Sequence, residues 1–274
     1  MNLKWGFPIA LLAFAGLSIP SHADAFKPSK VQQVQLGKRA AAELRRTQKI
    51  LPSNDPRVQM LRTIGSRLLS SVKTNGDPWE FSFDVVESKD VNAFALPGGS
   101  VFFYTGLFDN LKTEDELAGV LGHEMTHVLK EHWAYAYADS QKRNLFLSLA
   151  LVFAHANNNI SNLASIGNEV VFDLPFSRKH ETQADEGGLK MMVDAGYNPQ
   201  GMVDVFTLLR TLSKGGSPPA FLSDHPDDKG RIQHMQDLIA QMPQNFPEMR
   251  TLPWATLGPG PDGNYYQKGY SGGG

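Results

Sequence analysis

"KTEDELAGVLGHEMTHVLKEHWAYAYA", residues 112 to 138, holds the reading that decides the fold. Thr113 followed three residues later by Glu116 is a capping-box pattern, so a helix starts there. Leu117, Val120, Leu121, Val128 and Leu129 supply an apolar face at helical spacing. Within it, "GHEMTH" (Gly122 to His127) sets His123 and His127 four apart, on one face of the helix. Two imidazoles so placed can share one Zn²⁺. Glu124 lies about 100° around the axis from His123 and can reach a water beside the metal instead of the metal itself. That is the division of labour of a helical His-Glu-x-x-His peptidase site. The plain alternative is the polar face of an ordinary helix.

The surrounding sequence frames this helix. The 274 residues are 41% hydrophobic and 20% charged, with a net charge of -2 that argues against a nucleic-acid-binding surface. Lys4, the apolar run Ile9 to Leu17 and "SHA" (Ser21 to Ala23) read as a secretory signal peptide, residues 1–23, with cleavage after Ala23. The mature protein is then expected in the periplasm or outside the cell, and no later segment is long and apolar enough to span a bilayer. There is no cysteine, so disulfides, thiolate ligands and a lipid anchor on an N-terminal cysteine are ruled out. A metal site in this chain must use His, Asp or Glu.

Two packing helices precede a short β region. Lys30 to Ile50 has apolar residues near helical spacing, and a second helix starts at Asp55 as N-cap with Pro56 at its first position. Phe81 to Val86 alternates as a strand, while Val91 to Leu96 and Val101 to Gly106 flank "PGGS" as a hairpin, giving a sheet of three or four strands. After the Glu124 helix come an apolar core helix around Leu145 to Ala154, a loop at "HANNNISN", a helix from His180 ending at Gly196, and two more helices. The class is α+β, mainly α. The C-terminal residues 255–274 read as a disordered tail.

A catalytic zinc needs a third protein ligand, and this helix does not supply one. The extended motif with glycine and a third histidine fails, because Lys130 and Trp133 stand at those positions. His132 is one residue short and points off the zinc face.

Four segments in order make a more specific case: "VNAFALPGGSVFFYTGL", "ELAGVLGHEMTHVLKEH", "SRKHETQADEGGL" and "LSDHPDDKGRI". With them the chain resembles the M48 family of zinc metallopeptidases over roughly residues 30 to 245. The resemblance implies a zincin-like domain over residues 24–254, binding one Zn²⁺ per chain through His123, His127 and Glu181, the glutamate of a Glu-x-x-x-Asp motif. It makes Asp185 the acceptor for the free ring N–H of a ligating histidine. His225 would approach the zinc, either stabilising the oxyanion of the tetrahedral intermediate or filling the fourth zinc position at rest. Asp224 stands before it where the family more often has Ser or Thr. The strand carrying Asn92, Ala93 and Phe94 would border the cleft and pair with an extended substrate backbone. Arg178 is a candidate for positioning the acidic groups of the Glu181 helix; His155, His180 and His234 read as surface or packing residues.

Glu124 is then the general base of an endopeptidase acting on extended or misfolded polypeptide, in envelope protein quality control. The rival reading is a latent or inactive protease serving as a periplasmic chaperone. Neither the cleavage specificity nor the oligomeric state is legible.

Overall fold

In a computed structural model of the chain, the described residues are 26–74, 76–153, 176–215, 218–225 and 230–255, with side chains described outside 143–153. The signal peptide, the "HANNNISN" loop, His155 and all of the C-terminal tail after Ala255 lie outside them.

The chain runs through α1 (Lys30–Thr47), α2 (Pro56–Ser70), β1 (Ser82–Val86), β2 (Ala93–Ala95), β3 (Ser100–Tyr104), α3 (Thr105–Phe108), α4 (Glu114–Leu129), α5 (His132–Phe153), α6 (Arg178–Asp194), α7 (Gln200–Leu212), α8 (Ala220–Asp224) and α9 (Arg231–Gln241). It is an α+β fold, mainly helical. Helix starts follow local chemistry. Ser29 accepts from the Gln32 N–H and closes a capping box on α1, Asp55 accepts from the Arg57 N–H ahead of α2, and Thr113 with Glu116 closes the box on α4.

The described sheet has three strands in the order β1-β3-β2. β2 and β3 form the hairpin, with Gly98 and Gly99 at φ +90° and +123°, conformations that residues with a Cβ rarely adopt. β1 pairs parallel to β3, which makes β3 the central strand, and side chains from the two clusters cover it on both faces. Phe102 packs with Ala41 of α1 and Leu96, whereas Val101 and Phe103 join Leu61, Ile64, Leu117 and Leu121 on the other side. This two-sided burial explains the unbroken apolar run "VFF". After Tyr104 the chain turns into α3, so Thr105 and Gly106, read as strand, are helical.

Helix α4 is the axis of the molecule. Every residue from Asp115 to Val128 is buried, polar ones included. The Asp115 carboxylate accepts from the backbone N–H groups of Asn198 (2.7 Å) and Arg250 (2.9 Å), which ties the start of α4 to two later segments. Glu116 accepts from the N–H groups of Lys112 and Thr113. Buried carboxylates are stable here because backbone donors satisfy them.

One expectation about this helix needs correcting. The sequence reads as a single helix to Ala138, but α4 stops at Leu129 and α5 begins at His132. Glu131, between them, has φ +57°, the left-handed region. It is held there by Gln33 Nε2 (2.7 Å) and Lys27 Nζ (3.2 Å), near the start of α1. No local signal such as glycine marks the break; a distant contact supports it.

Candidate active site

The site lies where α4 crosses α6. A Cβ built on Gly188 would stand 2.9 Å from the backbone nitrogen of His123, and one on Gly122 3.2 Å from the Gly188 carbonyl oxygen. The two helices therefore touch backbone to backbone. Two turns before Gly188 on α6, Glu181 comes to face the pair His123 and His127. Ser177 caps α6 by accepting from the His180 N–H.

The structure brings four buried side chains into one cluster. One ligating atom from each of His123, His127, Glu181 and His225 lies within 4.8 Å of the others. The Nε2 atoms of His123 and His127 are 3.0 Å apart, and Glu181 oxygens lie 3.5 and 3.6 Å from them. His225 Nδ1 is 3.3 Å from His123 Nε2 and 3.2 Å from Glu181 Oε1. His225 arrives at the C-terminal end of α8. There Asp224 accepts from Asn92 Nδ2 (3.1 Å), which fastens that end to the sheet.

Glu124 stands beside the cluster. Its Oε2 accepts from the Ala95 N–H of β2 (2.9 Å), and its Oε1 lies 3.2 Å from His225 Nε2 without hydrogen-bond alignment. Asp185 Oδ1 is 3.0 Å from His123 Nδ1, the ring nitrogen away from the cluster.

Arg231 is the functional neighbour that the sequence reading passed over, although its segment was singled out. It holds Asp185 with two parallel bonds, Nε to Oδ2 at 2.8 Å and Nη2 to Oδ1 at 2.7 Å. Its Nη1 is 2.9 Å from Glu181 Oε2, and its guanidinium lies over Phe206. Arg178 lines, with Arg231 and Glu181, a cleft of about 210 Å³ on this side. Aromatic rings wall the site: Phe176 against His127, Phe206 against His123, and Phe221 against His225.

One further histidine departs from the sequence reading. His132 Nδ1 is 3.1 Å from His127 Nδ1, so it faces the cluster. The break at Glu131 re-aims it. His180 stacks on the His132 ring at 4.6 Å. His234 pairs with Glu186 on the surface.

Charges in the cluster bend the usual acidities. Burial disfavours protonated His225, but the Glu124 and Glu181 carboxylates outweigh it and push it up to about 10. Burial likewise opposes ionised Glu181, yet His225 and His123 hold its carboxyl well below the usual range. For Asp185 the same penalty is overcome by Arg231 and His123. His127 has burial and the neighbouring imidazoles against it and stays neutral. Burial and His180 lower His132 to about 3.

The donor set suits a cation. Glu181 Oε2 and Glu124 Oε1 are buried and each faces a cationic side chain, Arg231 Nη1 at 2.9 Å and His225 Nε2 at 3.2 Å, so the pocket gathers negative charge that a metal ion can share. Two imidazole nitrogens and one carboxylate are the ligand chemistry of catalytic zinc.

On the β2 edge, Asn92 and Leu96 pair with β3 through Tyr104 N–H to Asn92 O (3.0 Å) and Leu96 N–H to Ser100 O (2.8 Å). The alternate residues Ala93 and Ala95 thus face away from β3. Their N–H groups meet Asn92 Oδ1 (2.8 Å) and Glu124 Oε2. Phe94 stacks on Phe102.

A small sheet beside a helix carrying His-Glu-x-x-His, with a glutamate from a second helix over the two histidines, defines a zincin-like metallopeptidase. The pattern of peptidase family M48 matches residues 55–239. The chain is 30% identical over 229 residues to the metalloprotease LoiP of Escherichia coli K12, covering 81% of this chain and 87% of that one. It is 27% identical over 234 residues to the beta-barrel assembly-enhancing protease of the same strain, covering 78% of this chain and 47% of that one. It is 31% identical over 195 residues to the mitochondrial metalloendopeptidase OMA1 of Schizosaccharomyces pombe, covering 70% and 56%. The chain thus spans about half the length of these last two relatives. It belongs to peptidase family M48 and is a metalloendopeptidase with zinc as its cofactor.

Proposed function

We propose that this protein hydrolyses peptide bonds in extended or misfolded polypeptide, with His123, His127 and Glu181 holding one zinc ion and Glu124 as general base. The observation that carries this is the buried cluster at the α4–α6 crossing with Glu124 at its side. Zinc, when bound, supplies positive charge that polarises a carbonyl and lowers the pKa of water towards about 7. The chain's own residues do the rest. Glu124, pinned through Oε2 to Ala95, offers Oε1 to take a proton from attacking water and deliver it to the leaving amine. Asp185, itself held by Arg231, orients His123. His225, protonated by virtue of its two carboxylate neighbours, donates to the developing oxyanion. The substrate backbone aligns along the β2 edge, where the outward carbonyls of Ala93 and Ala95 are the acceptors.

The cellular setting is part of the same proposal. The signal-peptide pattern in residues 1–23 supports export to the periplasm. Among the described residues no helix is long and apolar enough to cross a membrane. Likeness to a beta-barrel assembly-enhancing protease supports a role in envelope protein quality control.

The test is cleavage of an unfolded protein together with elemental analysis. Wild type should carry one zinc per chain and cleave; Glu124→Gln should keep the zinc and lose activity by at least about a hundredfold. Normal cleavage by Glu124→Gln would remove the mechanism.

A second reading has one observation in its favour. His225 Nδ1 lies within 3.3 Å of His123 Nε2, close enough to join the ligand set and hold the site latent. An increase in cleavage on His225→Phe would favour that reading, and a loss would favour the oxyanion role.

A further inference from the structure

We propose that His132 is a positioning residue for His127: its Nδ1 accepts the proton on His127 Nδ1, which keeps His127 in the tautomer that presents Nε2 to the cluster, and Gln183 fixes the His132 ring in turn. The inference rests on the reading of His127 as a zinc ligand.

The directions of the hydrogen bonds follow from the geometry. His127 Nε2 faces His123 Nε2 at 3.0 Å and Glu181 Oε1 at 3.6 Å. A nitrogen that offers its lone pair to a cation carries no proton, so the His127 proton sits on Nδ1. His127 Nδ1 lies 3.1 Å from His132 Nδ1, and of two facing ring nitrogens one donates and the other accepts. His132 Nδ1 is therefore the acceptor, and the His132 proton sits on Nε2. That atom lies 3.2 Å from Gln183 Oε1, a carboxamide oxygen that only accepts. Each donor along the line from His127 to Gln183 meets an acceptor, and no other assignment leaves His127 Nε2 free.

The fold holds this line in place. His132 is 1% exposed, and His180 stacks flat on its ring at 4.6 Å and 13°. Gln183 projects from α6 two residues after Glu181, so the element that supplies the third metal-facing group also supplies the end of the line. On an unbroken helix, position 132 would sit about 140° around the axis from position 127. The left-handed residue Glu131, held by Gln33 and Lys27, turns His132 back.

The two histidines of the motif are thus supported unequally. His123 leans on the carboxylate of Asp185, and His127 on a neutral imidazole. A neutral acceptor fixes orientation and tautomer while adding no negative charge behind the ligand.

The experiment uses the purified chain with zinc affinity measured by chelator competition, and absorption spectra after substitution with Co²⁺. His132→Phe keeps the stacking ring and removes the acceptor. It should weaken zinc binding roughly ten- to a hundredfold and alter the cobalt spectrum. His132→Asn puts Oδ1 near the place of Nδ1 and should recover most of both. Wild-type affinity in His132→Phe, or an Asn variant as weak as the Phe variant, overturns the proposal. If His132→Phe does not fold, Gln183→Met decides: severalfold weaker zinc supports the line, and unchanged zinc overturns it. His127→Ala separates the layers. Zinc retained there removes the ligand reading and this inference with it; zinc lost there but retained in His132→Phe removes this inference alone.

Discussion

Arg231 shows how the buried charges of the site are balanced. Two carboxylates, Glu181 and Asp185, sit nearly fully buried, and one guanidinium reaches both. A buried anion with its partner removed is strongly destabilising, on the order of 3–5 kcal/mol. Arg231→Met should therefore lower stability by about that much, read from urea unfolding in excess chelator so that the metal does not mask the loss. Arg231→Lys should recover only part, because an ammonium cannot bridge Asp185 bidentately and reach Glu181 as well. Equal stability for Lys and Arg would mean that charge alone matters and the fork does not. At this scale much of the site was legible. His123, Glu124 and His127 are one helical motif, and Glu181 with Asp185 another. Arg231 and His132 were not, since an arginine in α9 and a histidine at an off-face spacing carry no local mark of a partner.

At the scale of elements, the α4–α6 crossing decides whether the two motifs meet. Helix propensity alone makes Gly188→Ala stabilising by about 1 kcal/mol. Packing argues the other way. The added methyl would stand 2.9 Å from the His123 backbone nitrogen and 2.6 Å from Met202 Cε. The Met202 side chain can yield; the α4 backbone cannot. Overpacking of this kind costs about 1–3 kcal/mol. Gly188→Ala should thus be net destabilising in chemical denaturation and should also weaken zinc binding, because Glu181 is carried away from the histidines. A more stable variant with unchanged zinc affinity would refute the close-approach argument. The β2–β3 hairpin and the capped starts of α2 and α4 were readable from sequence because each rests on contacts a few residues apart. The break between α4 and α5 was not, since what holds Glu131 is Gln33 of α1, 98 residues away in the chain, together with Lys27 just before that helix.

For the molecule as a whole, a ligand that binds the folded state alone stabilises it by mass action. At free zinc a thousandfold above its dissociation constant the gain is about 4 kcal/mol. For a domain of this size that is a shift in melting temperature on the order of 10 °C. Stripping the metal with a chelator should lower the Tm by about this amount in wild type and equally in Glu124→Gln, since the proposed role of Glu124 is base and not ligand, measured by calorimetry. In Glu181→Ala the chelator should change little. A full shift in that variant would take Glu181 out of the ligand set.

By itself the sequence determined the helix that carries the histidine pair, because hydrophobic period, caps and motif spacing are local properties of the chain, while the second helix with Glu181 was legible through the resemblance of four ordered segments to family M48. Tertiary structure alone decided which groups stand behind those residues. Arg231 reaches across to Asp185 and Glu181, His225 is drawn in by the Asn92–Asp224 bond, and His132 is turned onto His127 by a residue that α1 holds in a left-handed conformation. These are contacts between elements far apart in sequence, where direction in space is set by packing and not by spacing along the chain.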